Sequence, residues 1–183
     1  MKKSTTILFS LIFVFILSHQ VWGQNSIFTE TMGSGGSNGA SIATWESNNY
    51  FDNDAYTMSG TGDMRNTNSS SGYTSASGTW NVMLNAANEA FQIAGINTSS
   101  YSNLSLSFGI RKGATAENGS TFKIEVSTNG SSWSSLTMEA LPTGTGTATW
   151  YYRTCTGTIP STGTYILNLH LRQQLNLELM TLN

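Results

Sequence analysis

Apolar and polar residues alternate in short runs along most of this chain, and turn-forming Ser, Thr, Gly and Asn separate the runs. The clearest run is Leu104-Ser105-Leu106-Ser107-Phe108-Gly109-Ile110, where every second residue is apolar and those between are small or polar. Such a period of two describes a strand with one face on a core and the other toward water. Phe122, Ile124 and Val126 repeat it, with Lys123 and Glu125 on the opposite side. Full burial of one such apolar side chain stabilises by about 1.5–3 kcal/mol, so a few stripes of this kind can hold a domain together.

After Val126 come Ser127-Thr128-Asn129-Gly130 and then Trp133 and Leu136, which predicts a hairpin because Asn-Gly supplies the positive φ angles of tight turns. Further strands are expected near Ile27 to Thr31, Tyr56 to Ser59, Trp80 to Leu84, Ala90 to Ile96 and Ala148 to Thr154. Gly33 to Gly39 and Asn66 to Gly72 read as loops. No segment of ten or more residues keeps apolar residues at helical spacing without glycine, so no helix is placed. Many strands without crossover helices predict an all-β chain, an antiparallel two-sheet β-sandwich.

The N-terminus has a different texture. Lys2 and Lys3 precede an apolar run from Ile7 to Leu17 broken only by Ser10, and Val21-Trp22-Gly23 follows. This is the order of a signal peptide over residues 1–23, with cleavage before Gln24. The apolar run is about half of the ~20 residues that cross a bilayer, so the export reading is preferred to a membrane anchor. The mature chain is expected to be secreted or held at the cell surface, with no membrane contact after cleavage, and its length suits one domain.

Without Lys2 and Lys3, six basic residues face ten acidic ones, a formal net charge of −4. A nucleic-acid partner needs clustered Lys and Arg, and the only adjacent basic pair is Arg111-Lys112, which reads as a strand end. Cys155 is the single cysteine, so no disulfide forms within the chain; it is expected as a half-buried strand residue and not as a nucleophile, because the mature chain offers one histidine, His170, as a base.

No H-E-x-x-H helix, cysteine pair or P-loop is present. Glu46, Asp52, Asp54, Asp63, Glu89 and Glu125 leave a two-carboxylate glycosidase formally open, against the simpler reading of solvated turn and strand residues. Asp52-Asn53-Asp54 with Asp63 has oxygens suited to calcium but lacks the EF-hand register, and turn formation accounts for it. Trp45, Trp80, Trp133, Trp150, Tyr151 and Tyr152 could stack on pyranose rings. Alternation puts Trp150 and Tyr152 on one side of their strand and Tyr151 on the other, so at least one of the three points outward and they are the candidate carbohydrate-binding residues.

Ser71-Gly72-Tyr73, Ser75-Ala76-Ser77-Gly78, Val82-Met83-Leu84, Phe91-Gln92-Ile93 through Leu104 to Phe108, Glu125-Val126-Ser127 with Asn129-Gly130 and Trp133, Leu141 to Gly146 with Trp150, and Gly157-Thr158-Ile159-Pro160 together carry a resemblance. Over roughly Ile27 to Thr162 the chain resembles an accessory β-sandwich of secreted bacterial proteins. That module is jelly-roll or galactose-binding-like and often precedes an extracellular nuclease, a lamin-tail-like domain or a type IX sorting signal. The resemblance implies no catalytic residues. For jelly-roll domains it implies a structural calcium ion between an acidic first-strand residue, here Glu30, and one on the last strand. No other cofactor is expected.

The family ends on a segment like Phe-Arg-Ile-Asp-Asp-Ile, which this chain lacks. From Tyr165 on, seven leucines fall in nineteen residues, against five in all of Gln24 to Thr164. Back-translating Leu175 to Asn183 and reading from the third base of each codon permits Gln-Phe-Arg-Ile-Asp-Asp-Ile-Lys. Residues 165–183 are therefore expected to be a frame-shifted tail standing in for the last strands, with a genuine tail that pairs as a hairpin as the alternative. The expected function is a non-catalytic exported module for adhesion or glycan targeting, with carbohydrate or a cell-surface polymer as partner. The alternatives are the N-terminal accessory part of a secreted hydrolase, nuclease or glycosidase, and a structural surface protein without ligand.

Overall fold

A computed structural model of the protein describes residues 26–164 and, as backbone, 166–170 and 177–182. The signal-peptide reading falls on residues 1–23, outside the described residues.

Among the described residues the regular elements are nearly all strands. In order it forms β1 (Ala40–Ser41), α1 (Ile42–Ser47), β2 (Thr57–Gly60), β3 (Asp63–Arg65), β4 (Asn81–Leu84), β5 (Ala90–Ala94), β6 (Ser107–Lys112), β7 (Ile124–Ser127), β8 (Ser134–Leu136), β9 (Trp150–Thr154), β10 (Ile166–His170) and β11 (Leu177–Leu182). They make two open antiparallel sheets, one ordered β1-β3-β4-β11-β6-β9 and the other β2-β5-β10-β7-β8. The apolar stripes of both sheets meet in one buried cluster: Met64, Val82, Leu84, Phe108 and Ile110 from the first, Met58, Phe91, Ile93, Ile124, Val126 and Leu136 from the second.

The alternation read from the sequence places these residues correctly. Phe122, Ile124 and Val126 are buried, whereas Lys123 is exposed and Glu125 half-buried. The expected hairpin joins β7 to β8, with Ile124 opposite Leu136. Its turn differs from the expectation in one respect: of the Asn-Gly pair, Gly130 alone takes a positive φ, 71°. Asn129 instead closes the turn with its side chain, Oδ1 accepting from the N–H groups of Ser131 at 2.9 Å and Ser132 at 2.8 Å.

Three expectations need correction. A helix does exist, α1, at six residues too short for a ten-residue window; Ser41 caps it by accepting from Thr44 N at 3.1 Å, and Ile42 and Trp45 bury its inner face. Residues 27–31 form no strand beyond a single bridge at Glu30, because that segment is held by side-chain bonds to residues 52 and 53. The tail does not pair with itself. β10 lies between β5 and β7, and β11 between β4 and β6, so consecutive strands enter opposite sheets at central positions.

Candidate functional site

Cross-strand partners share a face of a sheet, so register sorts the outward-facing residues. On β6 and β9, Phe108 pairs with Arg153 and Ile110 with Tyr151, on the side that carries the core. Ser107, Gly109 and Arg111 pair with Thr154, Tyr152 and Trp150 on the outer side. Of the three aromatic candidates, Tyr151 therefore turns inward: it is half-buried against the core, its hydroxyl donates to Thr147 O at 2.8 Å, and the Arg153 guanidinium lies 5.2 Å from its ring centre. Trp150 faces outward but is 7% exposed, covered by its surroundings without joining the core cluster. Tyr152 is 39% exposed and, with Tyr101, is one of two large hydrophobic side chains exposed among the described residues.

Tyr152 does not stand alone. The ring of Tyr73, from the connection between β3 and β4, lies 5.6 Å away at a 31° tilt. This partner comes from a Ser/Gly-rich loop 79 positions distant in sequence, and no periodicity could have shown it. Gly109 makes the approach feasible: a Cβ at that position would lie 1.9 Å from the Tyr73 hydroxyl. The outer face of β6, expected to be wet, is in consequence buried at Gly109.

The remaining aromatic candidates lie elsewhere. Trp45 and Trp80 are core residues with ring centres 4.5 Å apart, and Trp133 is half-buried beside the β7–β8 turn. Chain 137–140 runs beside the edge strand β9. Arg153 donates to Glu139 O at 3.0 Å and Ala140 O at 3.3 Å, and just past the strand Thr137 bridges to Thr156.

The candidate groups for chemistry are dispersed. Burial pushes the Cys155 thiol up to about 12, so it stays protonated at neutral pH and is a poor nucleophile. Asp63 pairs with Arg65, Oδ2 accepting from Nη2 at 2.7 Å. The Lys112 ammonium, at the end of β6, is buried and donates to the carbonyls of Thr115 and Pro142. The side chain of His170 lies outside the described residues. Among the described residues no three His, Cys, Asp or Glu come together to hold a metal, and no helix is long and apolar enough to cross a membrane.

Glu30 is fully buried. Its Oε1 accepts from Met32 N at 2.8 Å and Asp52 N at 3.1 Å, and Oε2 accepts from Asn53 Nδ2 at 3.0 Å. Asp52 in turn accepts from Thr31 N at 2.7 Å. These are N–H donors and not the shell of six to eight oxygens that calcium takes, and they satisfy the carboxylate without a cation. The last-strand partner that a calcium site needs falls in the tail, outside the described side chains.

Burial raises the Glu30 carboxyl above its ordinary 4.5, the bonds from Asn53 and Asp52 N lower it, the Asp52 charge raises it further, and the bond from Met32 N lowers it. The folded chain thus holds this proton more tightly than the unfolded chain. Glu30's effect is most favourable below about 4.5 and turns against folding as pH rises through the folded value. The melting temperature of Glu30→Gln relative to the unaltered chain is expected to rise across that window and to level off above it; a difference independent of pH would contradict this.

Comparison with protein-family models, with curated proteins and with solved structures returns no match.

Proposed function

We propose that this chain is a non-catalytic exported module whose two sheets stack as a jelly-roll-like β-sandwich, and that the outer face of β6 and β9 binds carbohydrate or a cell-surface polymer. The observation that carries the binding reading is the exposed Tyr152 ring set beside Tyr73 on that face. The Tyr152 ring on its strand, with the Tyr73 ring of the β3–β4 connection tilted beside it, offers an apolar face on which the C–H faces of pyranose rings pack. The excess of acidic over basic residues argues against phosphate-rich partners. The sandwich reading is supported by the way successive strands from β4 to β7 alternate between the two sheets while their apolar stripes share one core.

Tyr152→Ala is expected to weaken binding to the preferred polysaccharide by about tenfold, or ~1.4 kcal/mol, with the melting temperature nearly unchanged. Affinity electrophoresis through plant and bacterial polysaccharides, run beside an unrelated β-protein, measures it. Equal retardation of the unaltered chain and the unrelated protein would exclude the reading.

The abrupt leucine-rich texture from Tyr165 supports a second reading, in which the frame shifted and the natural product continues into a hydrolase or sorting domain. Sequencing the gene and the DNA after its stop decides this, since a second frame with no continuation would exclude it.

A further inference from the structure

The connection from Arg65 to Asn81 runs back across the outer face of its own sheet. Ser70 and Gly78 close it into a loop, Ser70 N donating to Gly78 O and Gly78 N to Ser70 Oγ, both at 2.8 Å, with Tyr73 near the tip. Gly72 and Gly78 flank that tip at φ 82° and 88°, with open space around both. Among the described residues three buried side-chain atoms lack a hydrogen-bond partner, and two of them belong to this connection: Tyr73 Oη and, where it enters β4, Asn81 Oδ1. Asn81 is fully buried, and its Nδ2 is committed to Asn68 O at 3.2 Å. Val82 and Ile110 both pair with Leu179, and Asn81 and Gly109 follow them on the outer face, with β11, whose register shifts between Leu179 and Leu182, running between them. Two strand spacings put them roughly 10 Å apart. Tyr152 is the partner of Gly109 on that face.

A buried polar group without a partner is destabilising, and two in a single connection form a pattern. We propose that Tyr73 Oη and Asn81 Oδ1 are the polar contacts of a groove for a neutral saccharide, reached when the loop tip lifts on Gly72 and Gly78. Asn81 Oδ1 accepts a sugar hydroxyl, Tyr73 Oη donates or accepts one, and the Tyr152 ring takes a pyranose face. Neither polar atom carries charge, so this pair of contacts suits the hydroxyls of an uncharged ligand. This rests on the carbohydrate reading and adds to it the residues that select hydroxyls.

The test is Tyr73→Phe, titrated beside the unaltered chain and Tyr152→Ala with cellulose-, xylan- and mannan-derived oligosaccharides, each variant also being melted. Losing an unpaired hydroxyl should leave the melting temperature equal or higher, and losing a ligand contact should weaken binding roughly three- to tenfold. A purely structural tyrosine would give no loss of affinity. If Tyr152→Ala binds weakly while Tyr73→Phe and Asn81→Leu bind like the unaltered chain, the groove is excluded and the aromatic platform stands. If the unaltered chain binds none of the saccharides, both fall. A crystal structure of the complex with only a water molecule on Tyr73 Oη and Asn81 Oδ1 would also overturn the groove.

Discussion

Ending the chain after Thr164 should abolish cooperative folding. That deletion removes β10 and β11, and each is central to its sheet: β10 pairs with β5 and β7, β11 with β4 and β6. Loss of an edge strand would leave one new edge. Loss of these two cuts both sheets in half and leaves four strands with unpaired N–H and C=O groups, which invite aggregation. The chain entering β10 is fixed from within the domain, since Thr98 Oγ1 donates to Pro160 O at 2.9 Å and accepts from Thr162 N at 2.9 Å. Circular dichroism during heating is expected to show no sigmoidal transition for the truncated chain. A native-like transition would mean that the remaining strands close without the tail.

Trp45→Ala should be the most damaging single substitution in the core. Trp45 is fully buried on α1, with ring contacts to Trp80 at 4.5 Å and Tyr50 at 5.1 Å. Its Nε1 donates to Met32 O at 3.2 Å, so truncation leaves that carbonyl unpaired as well as a cavity. The loop Gly33 to Gly39 is shaped around it: a Cβ at Gly36 would lie 2.3 Å from the indole. Large aromatic-to-alanine changes in cores cost about 3–5 kcal/mol. In a domain of this size that lowers the melting temperature by roughly 6–20 °C. Denaturant titration of the variant measures it, and a loss under about 1 kcal/mol would show that the helix is not packed as described.

What could be read from the sequence follows from what is local. Alternation at Phe122 to Val126 gave face and burial together, because a period of two leaves one assignment of sides; at Phe108 and Ile110 it gave the core side, whereas Ser107 and Gly109, expected to be wet, are buried. The opposite facing of Trp150 and Tyr152 against Tyr151 came from the same rule. Short elements escaped it: β1 has two residues, β3 three and α1 six, fewer than a periodic pattern needs to repeat. Residues 27–31 look like a strand by composition, yet Glu30 is buried among N–H donors from a turn more than 20 positions away, and burial of a carboxylate in that setting is decided by tertiary partners. The candidate site was half legible for the same reason. Alternation set Tyr152 and Trp150 opposite Tyr151 without fixing which side faces out, whereas Tyr73, Gly109 and Asn81 join Tyr152 only because a loop without periodicity folds over the sheet.

The aromatic platform on β6 and β9 is the claim on which the functional account depends, and amide chemical-shift mapping during titration with the best-retained oligosaccharide tests it most directly. The account predicts saturable shifts concentrated at Gly72 to Ala76, Gly109 and Tyr152, with the Glu30 and Thr98 regions unmoved. Shifts centred on another face, or none at saturating saccharide, would contradict it.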